Sequence, residues 1–245
     1  YRSGEVQKVK LAAIEAEWHT EPAPASFTLF GLPDQGDETT HGAIKIPYLM
    51  GIIATRSLDE QVTGLKDLKA QHEVRIRSGM LAYDALEALR SDGSNAEARA
   101  TFERHRADLG YGLLLTPYAK EIGKADEGAI AKAVDDSIPQ VAPLFWSFRL
   151  MVGIGGVLLL LFGAAFLQLC RGKLVQSTRL LKALFWSIPL PWVAIEAGWF
   201  VAEYGRQPWT ISDVLPVSAS VSLLQPGQLW FSLIAIFLIY SSLLV

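Results

Sequence analysis

Between Leu150 and Cys170 the chain runs 21 residues without a charged side chain. At 1.5 Å per residue this stretch can cross about 30 Å of hydrocarbon, and in lipid only a helix or a closed barrel satisfies its own backbone. Pro143 stands near its start, where a missing N–H does little harm. A second apolar run extends from about Ala183 to Glu203, and a third begins near Leu229 and reaches residue 245. Pro189 and Pro191 interrupt the second, which a membrane helix tolerates when neighbours satisfy the freed carbonyls. The expectation is an all-α membrane protein, a bundle of transmembrane helices at about 144–170, 183–203 and 229–245.

Residues 1–140 hold most of the Asp, Glu, Lys and Arg and read like soluble protein. The formal net charge of −3 gives no reason to expect nucleic acid as a partner. Cys170 is the single cysteine, so no internal disulfide forms, and no Cys/His cluster has metal-ligand spacing. The start at Tyr1 and the end at Val245 inside an apolar run suggest a piece of a longer polypeptide. Loop 171–182 carries Arg171, Lys173, Arg179 and Lys182 with no acid, whereas 204–228 has only Arg206 and Asp213. The positive-inside rule puts 171–182 in the cytoplasm and residues 1–140 on the other side.

That extracytoplasmic segment is expected to be largely helical. Helical patterns cover 5–18, 65–90 (Leu65, Leu68, His72, Ile76, Met80 and Leu86 on one side) and 126–137. Ser94 and Glu97 suggest a capping box opening a helix over 95–108. TEPAPAS and FTLFGLPDQGDETTHG read as loop, and IKIPYLMGIIATRS (44–57) as an apolar stretch too short to span.

Several side chains invite chemistry. Glu196, Trp199, Phe200 and Glu203 share one helical face of the second span. A carboxylic acid in hydrocarbon costs roughly 2.5–3.5 kcal/mol, so such residues usually point into a bundle toward a cation, a cofactor or a relayed proton. The bland alternative has Glu203 snorkelling to water and Glu196 neutral. Met151 offers a soft thioether that can hold haem iron, although a membrane Met is more often ordinary packing. Arg149 suits a propionate or simple interfacial anchoring, and GIGG (153–156) permits close approach of a helix or flat macrocycle. Lys10 and Glu15 flank an apolar LAAI and could bind and deprotonate a hydroxylated ring, or merely solvate an amphipathic helix. His19, His41, His72 and His105 lie outside the spans and receive no role.

GWFVAEYGRQPW, preceded by IPLPWVAIEA, resembles the signature of subunit I of the bacterial cytochrome bd quinol oxidases. VQKVKLAAIEAEW, PAPASFTLFGLPDQ, IPYLMGIIATRS, DLGYGLLL and DSIPQVAPLFWSFRLMVG extend the resemblance along the chain, in the family's order. It covers the C-terminal part of that subunit, in its long quinol-loop form. The resemblance implies that Lys10 and Glu15 act in quinol oxidation. It implies that Met151 is the axial ligand of the low-spin haem b, with Arg149 beside it, and that Glu203 ligates the high-spin haem b. Trp199 would lie between haems and Arg206 near propionates; Glu196 matches a position of unassigned role.

It further implies a terminal oxidase in the bacterial inner membrane. Such an enzyme passes electrons from ubiquinol or menaquinol through two b haems to haem d, reduces oxygen to water and builds a proton gradient without pumping. Expected partners are subunit II, a small single-helix subunit and membrane lipid. The imidazole ligands and proton path would lie outside residues 1–245. Two rivals stand beside this reading: a non-enzymatic docking subunit, and a proton-coupled transporter using Glu196 and Glu203.

Overall fold

The computed structural model describes residues 7–23, 25–48, 61–222 and 224–243. Helix α1 (Lys8–Glu15) stops where Ala16 turns into the left-handed region at φ 52°, which lets the N–H groups of Ala16 and Glu17 close onto Ala13 and Ala12. Strands β1 (Phe27–Asp34) and β2 (Thr39–Ile46) follow, then α2 (Leu65–Ser91), α3 (Ala96–His105), the short α4 (Leu109–Leu113) and α5 (Glu127–Asp135). The apolar part comprises α6 (Val141–Cys170), α7 (Thr178–Trp186), α8 (Leu190–Tyr204) and α9 (Pro226–Ser242), with a small ladder of β3 (Trp209–Ile211) and β4 (Leu215–Pro216) between α8 and α9.

Among the described residues, two helical stretches are long and apolar enough to cross a membrane: α6, and α7 with α8 taken together from Thr178 to Tyr204. The proline pair does break the second, into α7 and α8, with Pro189 as the N-cap of α8. Helix α9 has 17 residues, at the lower limit for a span. At 30 residues α6 is about 45 Å long, half as long again as the hydrocarbon it would cross. The surplus is its first turns, where Val141, Leu144 and Phe145 are fully buried against the N-terminal segment.

The stretch read as loop around residues 27–43 is instead an antiparallel β-hairpin, so the chain is mainly rather than wholly helical. The turn residues that suggested loop make the hairpin possible: Asp34 Oδ1 accepts hydrogen bonds from Gly36 N (2.8 Å) and Asp37 N (3.2 Å), folding DQGDE back on itself. The expected capping box also moves. Asn95 caps α3 by accepting from Ala98 N at 2.9 Å, while Ser94 donates both its N–H and its hydroxyl to Asp92. Helix α5 has the expected start, with Asp126 accepting from Ala129 N at 2.9 Å. Of the apolar stretch 44–57, Ile44 to Ile46 finish β2, and residues 49–57 lie outside the described residues.

Among the described residues, a small cluster of Ala25, Phe27 and Val62 and two larger cores hold these pieces. One joins Ala12, Ala13 and Trp18 with Leu65 and Leu68 of α2, the first turns of α6, and Val201 of α8. The other gathers Ile76, Tyr111, Leu115, Ile130 and Trp209. Polar ties brace the hairpin: Gln35 Oε1 accepts the N–H of Val141 (3.0 Å), and Lys69 bridges Glu38 (2.6 Å) and Asp135 (2.7 Å). Helices α2 and α4 touch backbone to backbone, because a Cβ on Gly79 would fall 2.3 Å from both Asp108 O and Gly112 N.

Gly79→Ala should therefore lower stability by about 3 kcal/mol or more, since neither backbone can yield as a side chain would. Gly128→Ala, whose nearest neighbour is a side-chain atom at 3.7 Å, should be tolerated. Thermal unfolding of the two variants checks this; equal midpoints would contradict it.

Candidate functional site

Helix α1 lies across the ends of both spans and fastens to each. Toward its start, Lys10 Nζ donates to the carbonyl of Ala202 at 2.9 Å, in the last turn of α8, where a cation meets the negative end of the helix dipole. Gly205 makes room for this, since a Cβ there would stand 2.8 Å from Lys10 Cγ and 2.6 Å from Val201 O. Burial holds the Lys10 ammonium below its usual range; the charge of Arg206 adds to that and Glu203 opposes it.

At its end, Glu15 meets α6. Its Oε2 accepts from Thr28 N (3.0 Å) and from Arg149 Nη2 (3.3 Å). Glu15 is 2 % exposed and the Arg149 side chain 8 %. The guanidinium also donates to Ile14 O (2.5 Å), Phe145 O (3.1 Å) and Thr28 O, and lies 3.3 Å over the Phe145 ring. Three buried atoms here, Glu15 Oε1, Thr28 Oγ1 and Arg149 Nε, have no hydrogen-bond partner among the described residues. One Glu15 oxygen is thus well solvated by donors and the other bare. Burial outweighs the help of Arg149 and of Thr28 N–H, and the carboxyl is pushed up to about 7. A buried carboxyl poised there can hold and release a proton near neutral pH.

The remaining candidates lie just beyond these anchor points. Met151 follows Arg149 by two residues, is half-buried, and sets its sulfur against α8, where a Cβ on Gly198 would approach Sδ to 2.9 Å. Glu203 follows Ala202, is exposed, and accepts a charge-assisted hydrogen bond from Arg206 Nη2. Trp199 is 63 % exposed, and Glu196 is exposed too. The helical spacing that put Glu196, Trp199 and Glu203 on one face therefore describes a face that the described chain leaves uncovered, with Phe200 turned partly inward onto Tyr204. Gly153, Gly155 and Gly156 of α6 likewise have nothing within 4 Å of where a side chain would be.

The structure thus brings Lys10 to the Glu203 end of α8 and Glu15 to the Met151 end of α6, rather than bringing Lys10 and Glu15 to each other. Arg149 faces the N-terminal segment and is committed to it. The sequence carried no sign of the Glu15–Arg149 pair, whose partners are 134 residues apart. It also gave no role to His72, which is 5 % exposed and packs beside Tyr111. The helical periodicity that put His72 on the apolar side of α2 was the available signal.

The family model described as cytochrome bd terminal oxidase subunit I matches residues 1–245. The chain is 46 % identical over 245 residues to cytochrome bd-II ubiquinol oxidase subunit 1 of Escherichia coli, strain K12. It is 30 % identical over 238 residues to cytochrome bd ubiquinol oxidase subunit 1 of Bacillus subtilis, strain 168. These alignments take in all and 96 % of this chain but only 48 % and 39 % of the two relatives, so the chain spans about half their length or less.

Two outcomes follow from the Glu15–Arg149 geometry. Arg149→Leu should destabilise the fold by about 3–5 kcal/mol, because it strands a buried carboxyl and removes the donor to three backbone carbonyls. The raised carboxyl stabilises the fold fully below the ordinary Glu range, and that contribution fades as pH climbs from about 4.5 to about 7, at most about 3 kcal/mol in all. Glu15→Gln should flatten the pH dependence of the melting temperature in that window. An unchanged profile in the variant would remove Glu15 as its source.

Proposed function

This chain belongs to the cytochrome bd terminal oxidase subunit I family, and from that premise we propose that it forms the quinol-oxidising and b-haem-holding part of a terminal quinol oxidase. The whole enzyme would reduce oxygen to water with electrons from ubiquinol or menaquinol, as one subunit beside subunit II and a small single-helix subunit in a bacterial inner membrane. Residues 1–140 would stand on the extracytoplasmic side and 141–245 would carry the membrane helices, with 171–182 in the cytoplasm.

The observation that carries this reading is the span of α1 between two potential iron ligands. A thioether suits haem iron and a carboxylate suits a ferric centre; Met151 and Glu203 supply them beside the two anchor points of α1. The uncovered face with Trp199 and the bare glycines of α6 leave room for a flat macrocycle. Haem so held would supply one-electron redox chemistry and, with haem d elsewhere in the subunit, the oxygen-binding centre. Arg206, paired with Glu203, has further N–H donors for a propionate. Arg149 would work through Glu15, since its Nη donors are spent on the chain.

Glu15 would receive a proton released from quinol, passed on to its buried and unpartnered Oε1 rather than taken in direct contact, its acidity being already near neutral. Lys10, at the α8 end, would orient the ring oxygen and keep α1 seated on the last turn that precedes Glu203. Removing the base while keeping the shape isolates the first role.

In the intact oxidase, Glu15→Gln should lower quinol-dependent oxygen uptake by about 100-fold or more, and Lys10→Ala should also abolish most of it. Uptake driven by ascorbate with a small one-electron mediator should persist in both. Met151→Leu should selectively disturb the low-spin b bands of the reduced-minus-oxidised spectrum. Bands unmoved by that change would exclude Met151 as a ligand, and a properly assembled complex without haem would end the oxidase reading.

A further inference from the structure

A cavity of about 250 Å³ opens between α1, α2 and the loop that follows α8. Lys10 forms one edge; His72, Arg75, Tyr111, Trp209 and Asp213 form much of the rest. Most of these groups are already occupied. Lys10 donates to Ala202 O, and Arg75 Nε to Asp108 (2.7 Å) while its Nη1 reaches Asp213 (3.4 Å). The Tyr111 hydroxyl donates to Asp213 Oδ1 at 2.8 Å, and its ring lies under Arg75 (4.0 Å) and tilted against Trp209 (4.8 Å).

His72 is different. The Ser137 hydroxyl lies 2.6 Å from Val134 O and 2.7 Å from His72 Nδ1; with its one proton given to Val134 O, Nδ1–H is the donor to Ser137. Burial keeps the imidazole neutral, its pKa lowered to about 4. Nε2 is then an acceptor, and no group among the described residues uses it. Lys8 and Arg206 also line the cavity, and Lys10 and Arg206 keep N–H donors beyond those given to Ala202 O and Glu203, so the site offers donors as well as the His72 acceptor. A ring with hydroxyls at opposite positions meets both kinds of group, donating to the imidazole through one oxygen and accepting from a cation through the other. The volume falls just below the roughly 300 Å³ of the smallest ordinary ligand sites, enough for a single substituted ring without its isoprenoid tail.

Resting on the quinol oxidase reading, we propose that this cavity receives the quinol ring, with His72 Nε2 accepting a hydrogen bond from one ring hydroxyl and Lys10 at the opposite edge. His72 is thereby a binding and orienting residue for the substrate, fixed in one tautomer by Ser137 and Val134. Tyr111 and Trp209 supply the aromatic wall, and the loop after α8 becomes part of the substrate site.

The test uses the intact oxidase and a short-tailed quinol. His72→Phe keeps the ring and deletes the acceptor, and should raise KM for quinol about tenfold, the effect of one hydrogen bond, with kcat within about twofold. His72→Gln, which retains an acceptor, should recover part of the loss. An analogue with one ring hydroxyl methylated should bind wild type more weakly than the diol, and the difference should vanish in His72→Phe. Gln71→Trp, from an exposed position on α2, fills the cavity without touching the buried network and should raise KM at least as much. Unchanged KM in both His72→Phe and Gln71→Trp, with wild-type quinol oxidation normal, would overturn the proposal; if His72→Phe fails to assemble, Gln71→Trp decides alone. Absence of quinol oxidation in an assembled wild-type complex with normal haem bands would instead overturn the oxidase reading itself.

Discussion

Everything near the candidate site depends on one buried ion pair. Arg149 stands where the uncharged run of α6 begins, and a guanidinium there needs acceptors. It finds Glu15 and the carbonyls of Ile14 and Thr28, so a single side chain ties α1 and β1 to the membrane helix. The arrangement is not optimised for stability. Two charged groups are removed from water, one glutamate oxygen is bare, and three buried polar atoms are unpaired in the same place. A leucine pair would pack there at less cost. What the ionic pair provides instead is a carboxyl whose proton affinity is set by its neighbours, together with a fixed register between the N-terminal segment and α6.

Helix α1 behaves as a crossbar. Its eight residues rise about 12 Å, with Lys10 seated on the end of α8 and Glu15 on α6. The potential iron ligands stand one and two residues beyond the contacts, at Glu203 next to Ala202 and at Met151 after Arg149. A shift of α1 would therefore be felt at both. The same compactness explains why Gly205 and Gly198 are glycines: one gives the Lys10 stem its path and the other gives the Met151 sulfur its seat.

The two long apolar helical stretches were legible because hydropathy over 20 residues is a strong local signal, and the proline break and the helix beginning near 126 followed from local chemistry. The hairpin was missed because Pro33, Gly31 and the DQGDE turn look like loop until their two flanks pair. Helix spacing put Glu196, Trp199 and Glu203 on one face, but not whether this chain would cover it. The motifs marked Lys10 and Glu15 together, yet their partners come from residues 202 and 149, and nothing local encodes such distant pairings. His72 lay on the expected apolar side of α2; the hydroxyl against its Nδ1 comes from Ser137, 65 residues on.

The two larger cores of the N-terminal segment are completed by residues made much later: Val201 closes one and Trp209 the other. Chains emerge N-terminus first, at a few to some twenty residues per second. Residues 7–140 thus leave the ribosome well before the side chains that finish their interior, and Arg149, the partner of Glu15, arrives only with α6. The segment must wait in an unfinished state while both membrane helices are inserted, and only the return of the chain after α8 seals it. Completion of the N-terminal segment is in this way made conditional on correct placement of the two apolar helical stretches that follow it, so a chain with a misplaced second stretch would be left with an open, protease-sensitive segment.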